Sequence, residues 1–554
     1  MTDPERAAGP IGSRGATRVA IGIAVSRALG LVREVLIARF LGVGAWADVF
    51  RTALRGPNLL QNLLGEQTLS AAFIPVYSRM EEAGAREDGA RFAGAVFGLL
   101  LAVVAGLVLV GEVLAEPLVA VLSSGYLGDA AAIAVGEAAV DRFPLAVAAV
   151  RWIFPMVGLL VLSAWTLAVL NSHRRFLLPY LAPALWNAAI IAALWGAGSG
   201  ASFGQPGGAS PAGILRAACV GALLGGALQF LVQLPAAWRC LAFFRPSLDR
   251  RARGVREAWG AFLPLVTGRG AVQLSSYLDH WLASFLRVGA QSALGFAQGL
   301  YLLPISLFGM SVAAAELPEL ARSGERDPTA DRLGAAVRQA AFLAIPAAIG
   351  YLCFGYLVVR ALFGGGSFGP ASTWLVAVLL GAYAAGMPAS IVTRQLNNLF
   401  YAAGRTRWPA RAALERMALS AAAGTALMLW LDRYPVSRWI AAGPSEGQLH
   451  WGGVGLAVGA TLGAWYELAR VRQAAEREWP AARLPAGRLA ALAGLALLAA
   501  ALAALVWRSL PPLRPLATLA VVLAIYVVAY LAAARAFGVS ELSAWLGRFS
   551  RRQP

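Results

Sequence analysis

Residues 50–78 read FRTALRGPNLLQNLLGEQTLSAAFIPVYS. The run exceeds the roughly 20 mostly apolar residues that a helix needs to cross a bilayer. Through it, however, Arg51, Arg55, Asn58, Asn62 and Glu66 recur at spacings of four, three, four and four. On one continuous helix these five side chains share a narrow stripe. An isolated Arg at mid-bilayer costs at least about 2.5–3.5 kcal/mol, so such a stripe is expected to face protein or water and not acyl chains. The preceding apolar segment, 16–41, has the same character. Ser26, Arg27, Gly30, Arg33 and Glu34 fall on one arc, with Ala, Leu and Val opposite. Two polar stripes on consecutive spans predict helices that face each other or a wet chamber.

The rest of the chain extends this pattern. Of 554 residues, 59% are hydrophobic and 14% charged, against about 45–50% and 25% in soluble domains. This excludes a disordered chain, a fibrous one and an ordinary soluble enzyme. Fourteen apolar segments are legible, from 16–41 to 515–537. Six precede residue 259 and six follow it. RFLGVGA (39–45) resembles SFLRVGA (284–290), and SAAFIPVYSR (70–79) resembles AAAELPELAR (313–322). An even number of spans per half preserves orientation, so the halves read as parallel repeats about an axis along the membrane normal. The expected fold is an all-α polytopic membrane protein of about 14 transmembrane helices. Two six-helix lobes would surround a central cavity, with two C-terminal helices outside the repeat. The expected divisions are an N-terminal segment (1–15), an N-lobe (16–240), a basic linker (241–258), a C-lobe (259–470), spans 13 and 14 (471–537) and a tail (538–554). Residues 132–146 are expected to form an interfacial helix leading into the fourth span.

The chain has 47 Arg and no Lys against 29 acidic residues, a net charge of +18. With the N-terminus inside, the inside segments hold 29 Arg and the outside segments 6. Cytoplasmic loops retain positive charge, so both termini are expected in the cytoplasm. The basic residues lie between apolar runs, which argues against nucleic acid as a partner. The first apolar stretch is interrupted by Arg27, Arg33 and Glu34, unlike a cleaved signal peptide. Cys219, Cys240 and Cys353 form no CxxC, and His173, His280 and His450 stand far apart, so neither pattern indicates a metal site.

Two readings of the polar stripes stand side by side. In one, the charges pair internally, Arg27 with Glu34 and Arg55 with Glu66. In the other, surplus guanidinium lines a cavity for an anionic headgroup, because the planar fork grips phosphate oxygens in pairs. Asp279, in the seventh span, is a candidate ion or coupling site, or else a partner of Arg269 or an interface residue. Gly455, Gly459 and Gly463 are spaced by four in the twelfth span and predict close helix packing.

SRALGLVREVLIARFLGVGAWADVF (26–50), RGPNLLQNLLGEQTLSAAFIPVYSR (55–79), NSHRRFLLPYLAP (171–183), WLASFL (281–286), LPEL (317–320) and NLFYAAGRTRWP (398–409) resemble the MurJ (MviN) family. Those proteins are lipid II flippases of the multidrug/oligosaccharidyl-lipid/polysaccharide exporter superfamily. The resemblance implies two six-helix lobes around a cationic cavity, and final helices bordering a lipid-facing groove. It implies substrate-binding roles for Arg27, Arg33, Glu34, Asp48, Arg55 and Asn58. The family has a basic residue at Gln61, an Asp-Arg pair at Gln298-Gly299 and an acidic residue at Leu302. Arg269 and Arg394 are candidate compensating cations. Some members bind sodium through an Asp resembling Asp279 and polar partners on the eleventh and twelfth spans; the eleventh span here (411–431) has no Asn.

The resulting expectation is a non-enzymatic flippase of the bacterial inner membrane. It would move lipid II, or a similar polyprenyl-pyrophosphate-linked glycan, by alternating access without a cofactor. Coupling to a monovalent cation or to the membrane potential is compatible with this reading, and membrane lipids and cell-wall synthesis proteins are candidate partners. The rival readings are a flippase for another lipid-linked glycan, a cation-coupled exporter, a transport-inactive scaffold and a polytopic glycosyltransferase.

Overall fold

The computed structural model describes residues 13–136, 139–199, 209–241, 243–320, 330–443, 446–479 and 486–542; the side chains of 13–18, Gln67, 267–276, 306–320, 330–336 and Ala402 lie outside that description. Most of the expected N-terminal segment and tail, the side chain of Arg269 and the second copy of the 70–79 motif therefore fall outside it. Among the described residues the chain is helical, with two isolated β-bridges and no strand.

The chain forms two compact units, divided after Gly289. Unit 1 contains α1 (Ser13–Leu41), α2 (Ala45–Leu64), α3 (Glu66–Glu82), α4 (Arg86–Val113), α5 (Ala115–Leu122), α6 (Asp129–Ala134), α7 (Arg142–Ser172), α8 (Leu177–Gly198), α9 (Pro211–Trp238) and α10 (Val255–Ser284). Unit 2 contains α11 (Ala290–Leu320), α12 (Ala330–Phe363), α13 (Pro370–Ala402), α14 (Arg407–Leu431), α15 (Gly452–Glu478), α16 (Ala486–Ser509) and α17 (Pro515–Ala536). Among the described residues nine helices are long and apolar enough to span a bilayer: α4, α7, α8, α9, α12, α13, α14, α16 and α17. Helix α1 falls short because Arg27, Arg33 and Glu34 interrupt it, and α2 because it carries Asp48, Arg51 and Arg55. Large apolar side chains stand uncovered, among them Leu109 at 66% and Leu505 at 67% exposure. That outer surface suits lipid as its solvent.

The expected second span is broken. At Gly65 the backbone turns, and a Cβ there would lie 2.2 Å from the Gln61 carbonyl oxygen, so only glycine fits. The five-residue stripe is accordingly corrected: Arg51, Arg55, Asn58 and Asn62 share α2, and Glu66 opens α3. The interfacial helix expected over 132–146 is also displaced. Helix lies earlier, in α5 and α6 with a 3-10 turn (Ser124–Gly128) between them, and the chain bends by 98° there.

Helix α7 is the most enclosed span of unit 1, packed by α2, α3, α4 and α9. Its Trp165 joins Phe73, Tyr77 and Phe92 in one apolar cluster, with Phe73 stacked on both Tyr77 and Phe92 at 5.2 Å. The basic linker lies along α4, where the carbonyls of Arg245 and Ser247 fill the space above Gly94 and Gly98. Helix α10, which sequence reading placed at the head of the C-lobe, packs on α2 and α3 within unit 1.

In unit 2, α13 packs against α11, α12 and α15. Pro346 has no N–H, so α12 leaves the Phe342 carbonyl without its helical partner. The Tyr530 hydroxyl of α17 donates to that carbonyl at 2.9 Å, and Tyr526 donates to Pro346 O at 2.7 Å. In lipid such a backbone group must find a donor within the protein. The expected glycine packing is present: added Cβ atoms at Gly455 and Gly459 would lie 2.3 Å from Met428 N and 2.5 Å from Gly424 Cα. RFLGVGA and SFLRVGA occupy corresponding places, the α1–α2 and α10–α11 junctions.

Candidate functional site

Arg33 and Glu34 are neighbours on α1, about 100° apart around the helix. Glu34 nevertheless meets guanidinium from two helices. Its Oε1 accepts from Arg33 Nη2 at 2.8 Å and its Oε2 from Arg51 Nη2 of α2 at 2.7 Å. The three side chains are 16–17% exposed. Glu34 thus turns to Arg33 and Arg51, not to Arg27. Two guanidinia share one carboxylate, and the formal charges of these three side chains sum to +1.

Helix α8 completes the environment of Arg33. Asn187 Oδ1 accepts from Arg33 Nη1 at 3.0 Å, and the Trp186 ring lies under the guanidinium at 4.9 Å. The Arg33 Nε is buried without a hydrogen-bond partner. Sequence reading missed both α8 residues. They sit just beyond the NSHRRFLLPYLAP motif in an apolar span, where no charge marks them.

The other expected residues distribute as follows. Arg27 is exposed on α1; Arg55 and Asn58 are half-buried on α2. The Arg55 carbonyl accepts from the Tyr277 hydroxyl of α10. Asp48 is fully buried in a second network, where it accepts from Gly289 N at 2.7 Å and lies 3.4 Å from Arg142 Nη1. Arg142 also binds Asp129 and covers the Tyr126 ring at 4.3 Å. Thr52 lies 3.0 Å from the Tyr126 hydroxyl and 3.2 Å from His280 Nε2. Arg142 and His280 were visible in the sequence, but their partners are 13 to 228 residues away. Asp279 is half-buried on α10, and Arg394 is exposed on α13 of unit 2. In unit 2, Gln298 donates to the Tyr383 hydroxyl at 3.0 Å.

Unit 2 also holds an apolar cavity of about 300 Å³ between α12, α13, α15 and α16, lined by Ile345, Leu352, Pro388, Trp465 and Leu489 among others. Among the described residues no three His, Cys, Asp or Glu side chains are grouped to hold a metal ion.

A family model described as Lipid II flippase MurJ matches residues 37–527. The chain belongs to the MurJ lipid II flippase family. It is 31% identical to the probable lipid II flippase MurJ of Haemophilus influenzae over 396 residues, spanning 70% of this chain and 75% of that one. It is 31% identical to the lipid II flippase MurJ of Burkholderia cenocepacia over 397 residues, spanning 70% and 73%. A solved MurJ structure in an inward closed conformation shares the fold at TM-score 0.67 and 19% identity, over 94% of this chain and 99% of that one. An inward-facing multidrug transporter of the MATE family does so at TM-score 0.57 and 15% identity, over 84% and 99%. The MurJ assignment makes the chain a multi-pass membrane transporter and not an enzyme.

Proposed function

We propose that this MurJ family member flips lipid II, the polyprenyl-pyrophosphate-linked disaccharide-peptide, by alternating access. The observation that carries the reading is the Arg33–Glu34–Arg51 cluster, in which two guanidinia share one carboxylate. The remaining positive charge, held out of lipid on α1 and α2, suits a pyrophosphate head that binds in bidentate fashion. Arg27, Arg55 and Asn58 extend the same polar faces and serve the same headgroup. Asp48 acts indirectly, through Arg142 and the α10–α11 connection.

The Arg distribution supports an inner-membrane location with both termini in the cytoplasm. A cationic site also responds to membrane potential, at about 2.3 kcal/mol per unit charge per 100 mV. Asp279 is the candidate coupling residue, and Arg269 and Arg394 supply cation in place of the family's eighth-span Arg. Cell-wall synthesis proteins are the natural partners of such a substrate.

The test is expression in cells depleted of their own lipid II flippase. Growth and surface-exposed lipid II should return with the wild-type chain and fail with Arg33→Ala. Absence of rescue by the wild type, or full rescue by the variant, overturns the reading.

A further inference from the structure

Arg33 is held on three sides, and two of its holders carry no charge. Glu34 takes Nη2, Trp186 covers one face and Asn187 takes Nη1. The Asn187 amide can face only one way. Its Nδ2 donates to Ser26 O of α1 at 3.2 Å and to Pro183 O of its own helix at 3.2 Å, so Oδ1 is the atom left for the guanidinium. A flipped amide would set N–H against N–H. Asn187 is 5% exposed, and a Cβ added at Gly30 opposite it would lie 3.9 Å from Oδ1, in ordinary contact. Trp186 is fixed in turn: its Nε1 donates to Ala222 O at 3.1 Å and lies 3.1 Å from Met156 Sδ. One face of the guanidinium is therefore closed, and its N–H donors lie in the plane of the fork, where an oxyanion binds edge-on.

The neutral amide has a chemical reason. Arg33 and Arg51 against Glu34 leave one positive charge. A carboxylate at position 187 would hold Arg33 as well but cancel that charge. An aliphatic side chain would keep the charge but let the long Arg side chain swing, so binding would have to order it. An amide avoids both losses.

We propose that Asn187, backed by Trp186, is a positioning residue for substrate: it aims Arg33 at the pyrophosphate edge-on while leaving the cationic surplus intact. This rests on the reading that Arg33 meets the anionic head of lipid II.

The experiment is a double-mutant cycle on the full chain in phosphatidylcholine nanodiscs, reading lipid II dissociation constants for wild type, Asn187→Leu, Arg33→Gln and the double variant, with Asn187→Asp added. Unfolding midpoints are recorded throughout, and Asn187→Ala, which adds neither bulk nor an oxygen against Ser26 O and Pro183 O, guards against failure of the leucine or aspartate variant to fold and is expected to weaken binding as Asn187→Leu does. Asn187→Leu is expected to weaken binding about tenfold alone and less than about twofold in the Arg33→Gln background. Asn187→Asp is expected to weaken it comparably, although the aspartate retains a hold on Arg33. Equal losses from Asn187→Leu in both backgrounds, or wild-type binding by Asn187→Asp, would overturn the proposal. Weakened binding in Arg33→Gln with no change in Asn187→Leu overturns the positioning role alone. Unchanged binding in Arg33→Gln overturns the substrate site and this role with it.

Discussion

Arg142 is joined to Asp129 by three bonds. Its backbone N–H and Nε reach Oδ2 at 3.0 and 2.7 Å, and its Nη2 reaches Oδ1 at 2.8 Å. The side chains are 4% and 6% exposed, so neither charge has water to fall back on. Removing one partner of such a pair strands the other, at about 3–5 kcal/mol. Arg142→Ala is expected to lower the thermal unfolding midpoint in detergent strongly. Arg91→Ala, which removes the exposed Arg91–Glu87 pair of α4, should leave it nearly unchanged. Equal shifts for the two variants would contradict the buried network.

Gly65→Ala places a Cβ against the Gln61 carbonyl at 2.2 Å. The backbone must then shift where α2 gives way to α3, a strain of about 1–3 kcal/mol by analogy with overpacking. The expected outcome is a lower unfolding midpoint together with reduced rescue of flippase-depleted cells. An alanine variant with wild-type stability and rescue would show that the break is not needed.

Glu34→Gln and Arg51→Gln change the charge of one cluster in opposite directions. The first raises the formal charge summed over Arg33, residue 34 and Arg51 to +2, and the second lowers it to zero. Lipid II is expected to bind Glu34→Gln more tightly and to leave it more slowly, so turnover falls although affinity rises. Arg51→Gln should weaken binding by about tenfold, the order expected for losing one charge-assisted contact. Affinity measured on the purified variants checks the signs, and movement in the same direction would refute the electrostatic account.

His173 follows the C-terminal end of α7, with its Nε2 2.9 Å from the Tyr77 hydroxyl. Burial holds its pKa below the ordinary 6.5; Glu81 opposes this and Arg175 reinforces it. The unfolded chain therefore takes up this proton before the folded one does. The stability contributed by neutral His173 is fully present above about pH 6.5 and is lost as pH falls through the lowered folded value. His173→Gln should flatten that part of the stability-versus-pH curve, as measured by unfolding midpoints from pH 7.5 downward. A slope identical to that of the wild type would assign the effect elsewhere.

Spans and charge stripes were legible because lipid enforces them locally. An apolar run or a misplaced Arg carries its meaning within 20 residues. Arg33, Glu34 and Arg51 were readable for that reason, and so was the glycine seam of α15. The continuous second span was misread because a single Gly-directed turn leaves hydropathy unchanged. Asn187 and Trp186 were invisible because an amide and an indole in an apolar helix look like ordinary packing until their neighbours are known.

The sequence by itself determined that the chain crosses a membrane many times and that guanidinium is carried on the first two apolar segments. Solvent exclusion by hydrocarbon acts on each segment independently of the others. Only the tertiary structure decided that Glu34 bridges Arg33 and Arg51, that Asn187 holds Arg33 from 154 residues away, and that Asp48 belongs with Arg142 and Asp129. Hydrogen bonds and ion pairs are set by distances of a few ångströms between helices, and linear spacing does not encode those distances.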